Sequence, residues 1–274
     1  MASPLTLCAD DFGLSEAVNE AILDLAARGR LNATTLMVDG PEAAAGVAAL
    51  ARSGNVALGL HVVLSGEPTP LCSALAPTGR LPHVDALTAR AFLGRLPRVA
   101  IEAEIERQYD RFEALAGRPP DFVDGHQHVH VLPQIRDSFL RIARRRAPGA
   151  WIRTCEERLG AIRRRGVYRW KAARSALLSR GLSAQAVRLG LGTNQGFAGL
   201  YDFRARRDYG RLFGRWLAAP GRAQLIICHP AAPDPADELG EARAREYAFL
   251  RDGDVEGLVA AAGLQLAPAV PARD

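Results

Sequence analysis

Lysine is almost absent from this 274-residue chain. The chain has 35 lysine and arginine residues, and Lys171 is the only lysine among them. Arginine therefore carries the net charge of +5, which is typical of a genome-wide codon preference rather than of a nucleic-acid surface. Two arginine clusters, at residues 144–146 and 163–165, lack the interleaved aromatic residues of a nucleic-acid site. We expect solvated helix faces at both clusters and no nucleic-acid partner.

Cysteine is also scarce, and its positions argue against two kinds of scaffold. Cys8, Cys72, Cys155 and Cys228 are too widely spaced for a Cys-x-x-Cys zinc site and too few for a disulfide framework. Buried, reduced thiols are the simplest interpretation, and they predict a cytoplasmic protein.

Three further signals are missing. Residues 1–4 lack the basic segment of a signal peptide, and no apolar run reaches the length of a membrane span. The glycines of residues 190–192 lack a third glycine at the offset that a phosphate-binding loop requires. We therefore expect neither a membrane-spanning segment nor a glycine-rich nucleotide site.

Short apolar runs alternate with helical periodicity along most of the chain, which is typical of parallel βαβ units. At least six runs are predicted strands, at residues 5–9, 33–38, 56–60, 121–124, 151–153 and 225–228. We predict an α/β fold, a single-domain, irregular (β/α) barrel of the TIM-barrel type over residues 1–274, with a doubly wound open sheet as the alternative. The proline-rich segment 64–97 is predicted to be a loop or lid beside the functional site, and segment 181–203 fits neither period.

Two adjacent carboxylates, Asp10 and Asp11, end the first predicted strand. Gly13 permits a turn there, and Ser15 can cap a helix whose apolar residues recur at helical spacing. The pair therefore lies at a strand-to-helix junction, where α/β proteins collect their ligands and catalytic groups.

Most histidines of the chain also lie at the ends of predicted strands. Five of the six lie at or just past the carboxyl ends of three predicted strands, namely His61, His126, His128, His130 and His229. If the strands are parallel, these imidazoles and the Asp pair converge on one face of the fold.

This set of groups suits a hydrolytic metal site. One carboxylate and two imidazoles leave positions open on a divalent metal, a second carboxylate can act as base on water, and a histidine opposite can protonate a leaving group. The residues alone do not decide which histidine is the third metal ligand. His126, His128 and His130 point the same way on an extended strand, whereas on a helical turn only His126 and His130 share a face.

Four motifs resemble those of the YdjC/ChbG-like carbohydrate deacetylases, which include the hopanoid-associated HpnK members. They are ADDFGLS at residues 9–15 with Asn19, LGLH at 58–61, DGHQHVH at 124–130 with Pro133, and CHP at 228–230. The motifs occur in the family's order and spacing over residues 5–232. The family commonly has serine where this chain has Gly125, which removes one hydroxyl near the site.

The resemblance implies a role for each site residue. Asp11, His61 and His126 would hold one divalent metal, magnesium with zinc as the alternative. Asp10 would be the general base and His229 the general acid. Substrate contact or support of the ligands would fall to the remaining candidates, which are His128, His130, Arg153 and Asp124.

The implied activity is removal of the N-acetyl group from an N-acetylglucosamine-containing carbohydrate such as a chito-oligosaccharide, with release of acetate. A hopanoid-associated glycolipid is the alternative substrate within the family, and a homodimer is the expected assembly. Another metal-dependent amidohydrolase with a carboxylated lysine is disfavoured because Lys171 lies in a basic helix. A non-catalytic binding protein would need no base beside its metal, so the Asp pair argues against that class.

Overall fold

The computed structural model describes residues 2–53, 56–66, 75–76, 79–204 and 207–267. Its strands are β1 Ser3–Phe12, β2 Ala33–Leu36, β3 Ala57–Val62, β4 Phe122–Gly125, β5 Trp151–Ile152, β6 Gly192–Thr193, β7 Phe197–Ala198, β8 Gln224–Cys228 and β9 Leu264–Leu266. The helices are α1 Glu16–Ala27, α2 Ala43–Ser53, α3 Val84–Phe92, α4 Arg98–Ala116, α5 Arg136–Arg146, α6 Leu159–Arg165, α7 Arg169–Ser179, α8 Leu182–Arg188, α9 Tyr209–Trp216, α10 Gly240–Asp252 and α11 Val255–Ala261. A 3₁₀ segment, His126–Val131, follows β4.

All nine strands belong to one parallel sheet, in the order β6-β5-β4-β3-β2-β1-β8-β7, with β9 paired to the start of β1. The order follows the chain and brings β8 beside β1, as in a barrel, rather than reversing at a switch point as in a doubly wound sheet. No pairing between β6 and β7 is found in the described part of the chain, so the barrel is incomplete there. The predicted irregular (β/α) barrel is confirmed.

The first βα unit forms for the reasons that its sequence suggests. The Ser15 hydroxyl accepts a hydrogen bond from the Val18 N–H at 3.3 Å and caps α1. Ile22 and Leu25 of the helix are buried against the sheet, and Gly29 ends the helix at a φ of +66°. The unit thus fixes the end of β1, where the two carboxylates lie.

Several elements differ from the sequence-based expectation. The segment 64–97 contains α3, although residues 67–74 and 77–78 lie outside the described residues. The unassigned segment 181–203 forms α8 and the two-residue strands β6 and β7, and the chain after residue 230 adds α10, α11 and β9. Three cysteines, Cys8, Cys155 and Cys228, are buried and free as expected, whereas Cys72 lies outside the described residues.

The arginine cluster at 144–146 lies on a solvated helix face, as predicted. Arg145 and Arg146 of α5 form ion pairs with Glu106 of α4, and Arg146 also pairs with Asp110 and Glu113. In the part of the chain that the structure describes, no helix is both long and apolar enough to cross a membrane.

Gly59 in β3 tests the packing between neighbouring strands. A Cβ at this position would lie 2.6 Å from the Phe122 ring, which cannot withdraw because it stacks on Trp151 with ring centroids 4.4 Å apart. We expect Gly59→Ala to lower the free energy of unfolding by about 1–3 kcal/mol in urea denaturation. Gly160→Ala is the matched control, since nothing lies within 4 Å of its Cβ. Equal stability of the two variants would contradict the close packing.

Candidate active site

Asp10 and Asp11 lie at an irregularity of β1. In a regular strand neighbouring side chains point to opposite faces, so two adjacent residues cannot serve one site. The register with β2 shifts between Ala9 and Phe12, and Asp11 has a φ of +70°, outside the extended region. As a result both carboxylates line the same cavity at the carboxyl end of the sheet.

Three of the predicted residues form a compact cluster. The Asp11 Oδ1 atom lies 3.6 Å from His61 Nε2 and 3.3 Å from His126 Nδ1, and one ligand atom of each residue lies within 4.8 Å of the other two. Burial alone would raise the pKa of Asp11, but Arg243 and His126 beside it hold this pKa well below its usual value. The carboxyl group is therefore ionised at neutral pH.

Asp124 orients His61 from behind. The His61 Nδ1–H donates to Asp124 Oδ1 at 2.5 Å, so the Nε2 lone pair faces Asp11. Burial lowers the pKa of His61, but Asp124 more than compensates and the net shift is upward. A carboxylate on the far ring nitrogen is the usual support of a metal-binding histidine.

Asp10 is held by a buried guanidinium. Arg153 Nη1 donates to Asp10 Oδ1 at 2.5 Å and lies 2.8 Å from Asp124 Oδ2. The Thr35 hydroxyl and the Cys8 thiol donate to the same Oδ1 atom at 3.4 and 3.6 Å. Oδ1 is thus fully engaged, and Oδ2 is the oxygen with capacity for substrate or water.

His229 lies opposite Asp10. Its Nε2 atom is 3.8 Å from Asp10 Oδ2, and its ring packs edge-on against Phe203. Burial lowers the pKa of His229 to about 4 despite Asp11 and Asp10 nearby, so the imidazole is neutral at pH 7. The backbone N–H of His229 donates to Glu246 at 2.6 Å, which fixes this turn to α10.

Two of the candidate histidines lie outside the cluster. His130 is fully buried; its Nε2–H donates to the Arg153 carbonyl at 2.9 Å, and burial lowers its pKa to about 3. His128 lines the cavity and packs edge-on against Phe197. Neither expected backbone form occurs here, because Gln127 and His128 adopt left-handed φ values within the 3₁₀ segment.

Sequence reasoning missed Arg243 of α10. Its Nη2 donates to Asp11 Oδ2 at 2.8 Å, and its Nε lies 3.1 Å from Asp237. Arg243 therefore occupies one oxygen of Asp11 and leaves Oδ1 for a ligand. The available signal was periodicity, since Arg243 and Glu246 fall at core-facing positions of α10 beside Tyr247.

The cavity that contains these groups has a volume of about 400 Å³. Its walls include α3, through Val84 and Thr88, and α7, through Lys171 and Leu178. A space of this size lies within the usual range for small-molecule sites.

The cluster fits a divalent metal. Asp124 selects the His61 tautomer with a free Nε2, and Arg243 leaves Asp11 one free oxygen. The two imidazole nitrogens therefore lie 3.6 and 3.3 Å from this oxygen, at His61 and His126 respectively. Two imidazoles and one carboxylate are a common protein donor set for a divalent ion with open positions.

The fold and the site together define a β/α-barrel protein with a carboxylate and imidazole cluster at the strand ends. Residues 4–261 match the YdjC-like protein family, and the chain belongs to that family. This confirms the resemblance found in the motifs.

Individual relatives of known name or structure support this family assignment. The chain is 32% identical over 264 residues to a chitooligosaccharide deacetylase from Klebsiella pneumoniae (strain 342), covering 96% of this chain and 93% of that protein. A chitooligosaccharide deacetylase from Serratia marcescens is 38% identical over 137 residues, covering 49% of this chain and 53% of that protein. A solved structure from Enterococcus faecalis V583, provisionally described as a cellobiose-phosphate cleavage protein, has a TM-score of 0.73 at 20% identity, covers 98% of each chain and shows the shared fold.

The cluster predicts which histidines bind metal. We expect Asp11→Ala, His61→Ala and His126→Ala each to lose the bound metal, because each removes one of three ligands. His128→Ala is the matched control and should retain it. Metal content after dialysis against zinc or magnesium, measured by mass spectrometry, checks this. Full occupancy in His126→Ala would move the third ligand to His128 or His130.

Proposed function

We propose that this protein is a metal-dependent carbohydrate deacetylase that removes the N-acetyl group from an N-acetylglucosamine-containing saccharide and releases acetate. The observation that carries the proposal is the pairing of a three-ligand cluster with a separate carboxylate, Asp10, held by its own arginine. The names of the curated relatives, chitooligosaccharide deacetylases, support the same class of enzyme and substrate.

Asp11, His61 and His126 would hold the metal. When bound, a divalent ion supplies Lewis acidity for the acetamide carbonyl and for the attacking water. Magnesium stays our prediction for its identity, and zinc takes the same donor set.

Asp10 acts as the general base in this proposal. Because Arg153, Thr35 and Cys8 all bind Oδ1, the Oδ2 atom is the one that removes the proton from water. The buried ion pair with Arg153 also fixes the carboxylate in position, so the base does not have to be ordered during the reaction.

His229 delivers the proton to the departing amine. The neutral imidazole can accept the proton that Asp10 has removed, since its Nε2 lies 3.8 Å from Asp10 Oδ2. The transfer requires these two atoms to approach to hydrogen-bond distance, and His229 would then protonate the sugar nitrogen as the C–N bond breaks.

The remaining expectations extend the proposal. We propose that residues 1–274 form one deacetylase domain and that segment 64–97 contributes a wall or lid to the cleft, which the cavity-lining residues of α3 support. A cytoplasmic location and a homodimer stay predictions.

The experiment that tests the function is acetate release from chito-oligosaccharides by the purified protein. Activity should disappear with a chelator and return with metal. Stoichiometric metal binding without release of acetate from chito-oligosaccharides, N-acetylglucosamine phosphates or glycolipid-linked N-acetylglucosamine would contradict the proposal.

Replacement of the base separates catalysis from metal binding. We expect Asp10→Asn to lower kcat by about 10²-fold or more with the metal retained, because the shape persists and the base is lost. Asp137→Asn on the surface of α5 is the matched control. Loss of metal from Asp10→Asn would show that Asp10 is a ligand.

Replacement of the acid should depend on the leaving group. We expect His229→Ala to bind metal normally and to hydrolyse acetamides slowly, because their amine is a poor leaving group without a proton. The same variant should be much less impaired on an activated acetate ester. Steady-state kinetics on both substrates check this, and equal losses on the two would exclude the acid role.

A further inference from the structure

Positive charge is concentrated in one part of the chain. Residues 158–188 contain nine lysine or arginine residues and no aspartate or glutamate. The whole chain carries a net charge of +5, so the residues outside this segment carry a net charge of −4. The segment corresponds to the consecutive helices α6, α7 and α8.

These arginines differ from Arg141, Arg145 and Arg146 of α5, which form ion pairs with carboxylates of α4. Within the described residues of this segment, only Arg165 forms an ion pair, with Glu157. Seven others are exposed and have no carboxylate within salt-bridge distance among the described residues: Arg158, Arg163, Arg164, Arg169, Arg174, Arg180 and Arg188. The helices thus present positive charge that the protein itself does not neutralise.

Large apolar side chains are exposed on the same helices. Trp170 and Leu177 of α7 are 83% and 68% exposed, and Leu159 of α6 is 69% exposed. Trp170, Ala173 and Leu177 are spaced at i, i+3 and i+7, which places them on one face of α7. An exposed apolar patch of this kind normally marks a surface that binds a partner.

This face of α7 borders an open groove of about 1180 Å³. Apolar side chains from three helices line it, including Leu159, Leu177 and Val187. Arg158, Arg180, Arg188 and Arg222 line the same groove and outnumber its two carboxylates, Glu156 and Glu157, of which Glu157 already pairs with Arg165. Apolar and cationic groups therefore share one surface.

We propose that the α6–α8 face, defined by Leu159, Trp170, Leu177, Arg180 and Arg188, docks on a membrane surface that carries anionic headgroups. Tryptophan and leucine side chains enter the boundary between headgroups and acyl chains, while arginines bind lipid phosphates. A nucleic acid would match the charge but would leave the two leucines without an apolar partner. The bilayer is the partner that uses both features.

Docking there would hold the catalytic cavity close to the bilayer. The opposite side of α7 carries Lys171, Arg174 and Leu178, which line the cavity that contains Asp10. One helix thus separates the membrane-facing groove from the active site. The inference does not depend on the chemistry proposed for that site.

Vesicle binding by the full-length chain tests this. We expect sedimentation with vesicles of phosphatidylcholine and phosphatidylglycerol, weakened by salt, and none with phosphatidylcholine alone. Arg180→Gln/Arg188→Gln should weaken binding about fivefold per arginine. Trp170→Ser/Leu177→Ser should weaken it about tenfold or more. The matched controls on the α4 surface, Arg107→Gln/Arg111→Gln and Val99→Ser, should bind like the unmodified chain.

Tryptophan fluorescence gives a readout that needs no variant. The chain has three tryptophans, and Trp151 and Trp216 are buried, so a blue shift on addition of anionic vesicles reports on Trp170. Absence of both sedimentation and a blue shift at low salt would overturn the proposal. Equal losses of vesicle binding in the α4 control variants and in the α6–α8 variants would also overturn it. So would binding of the chain to an oligonucleotide, through the same arginines, without binding to vesicles.

Discussion

The site depends on one buried guanidinium, that of Arg153. It is fully buried and bridges Asp10 of β1 and Asp124 of β4 at 2.5 and 2.8 Å. A buried charge of this kind is tolerated only when it is paired, so the arginine and both carboxylates require one another. Asp124 also orients His61. Arg153 therefore positions both Asp10, the proposed base, and Asp124, which supports the proposed metal ligand His61.

Helix α10 provides a second support from the opposite side. Arg243 contacts Asp11, and Glu246, one turn later, accepts hydrogen bonds from the His229 backbone and from the Tyr201 hydroxyl. Burial raises the pKa of Glu246 to about 7 even though these donors oppose the shift. The end of the chain, which holds no predicted catalytic residue, therefore fixes both the cluster and the turn of the proposed acid.

Local signals explain what the sequence could predict. Long strands such as β1 and β8 are marked by apolar runs. The polar residues that directly follow these runs, Asp10 and His229 among them, indicated the carboxyl face of the sheet. Two-residue strands such as β6 and β7 are too short to show a period, and prolines around α3 hid a short helix.

Long-range and conformational features could not be predicted in this way. Arg243 meets Asp11 across 232 positions of sequence, a contact that no local pattern encodes. The left-handed backbone at Gln127 and His128 explains why neither a strand nor a helix gave the correct arrangement of the histidines. Asp11 has the same kind of backbone, and it is this departure that allows two adjacent carboxylates to face one cavity.

The charges of the site favour a cation. Arg153 and Arg243 are shared among four carboxylates, those of Asp10, Asp11, Asp124 and Asp237, which leaves the site with an excess of acidic groups. His229 cannot balance it, because burial keeps that imidazole neutral, whereas the raised pKa of His61 shows that its surroundings favour a positive charge. A metal ion at Nε2 would take the place of the proton that this environment attracts, and metal binding and protonation would then compete for the same lone pair.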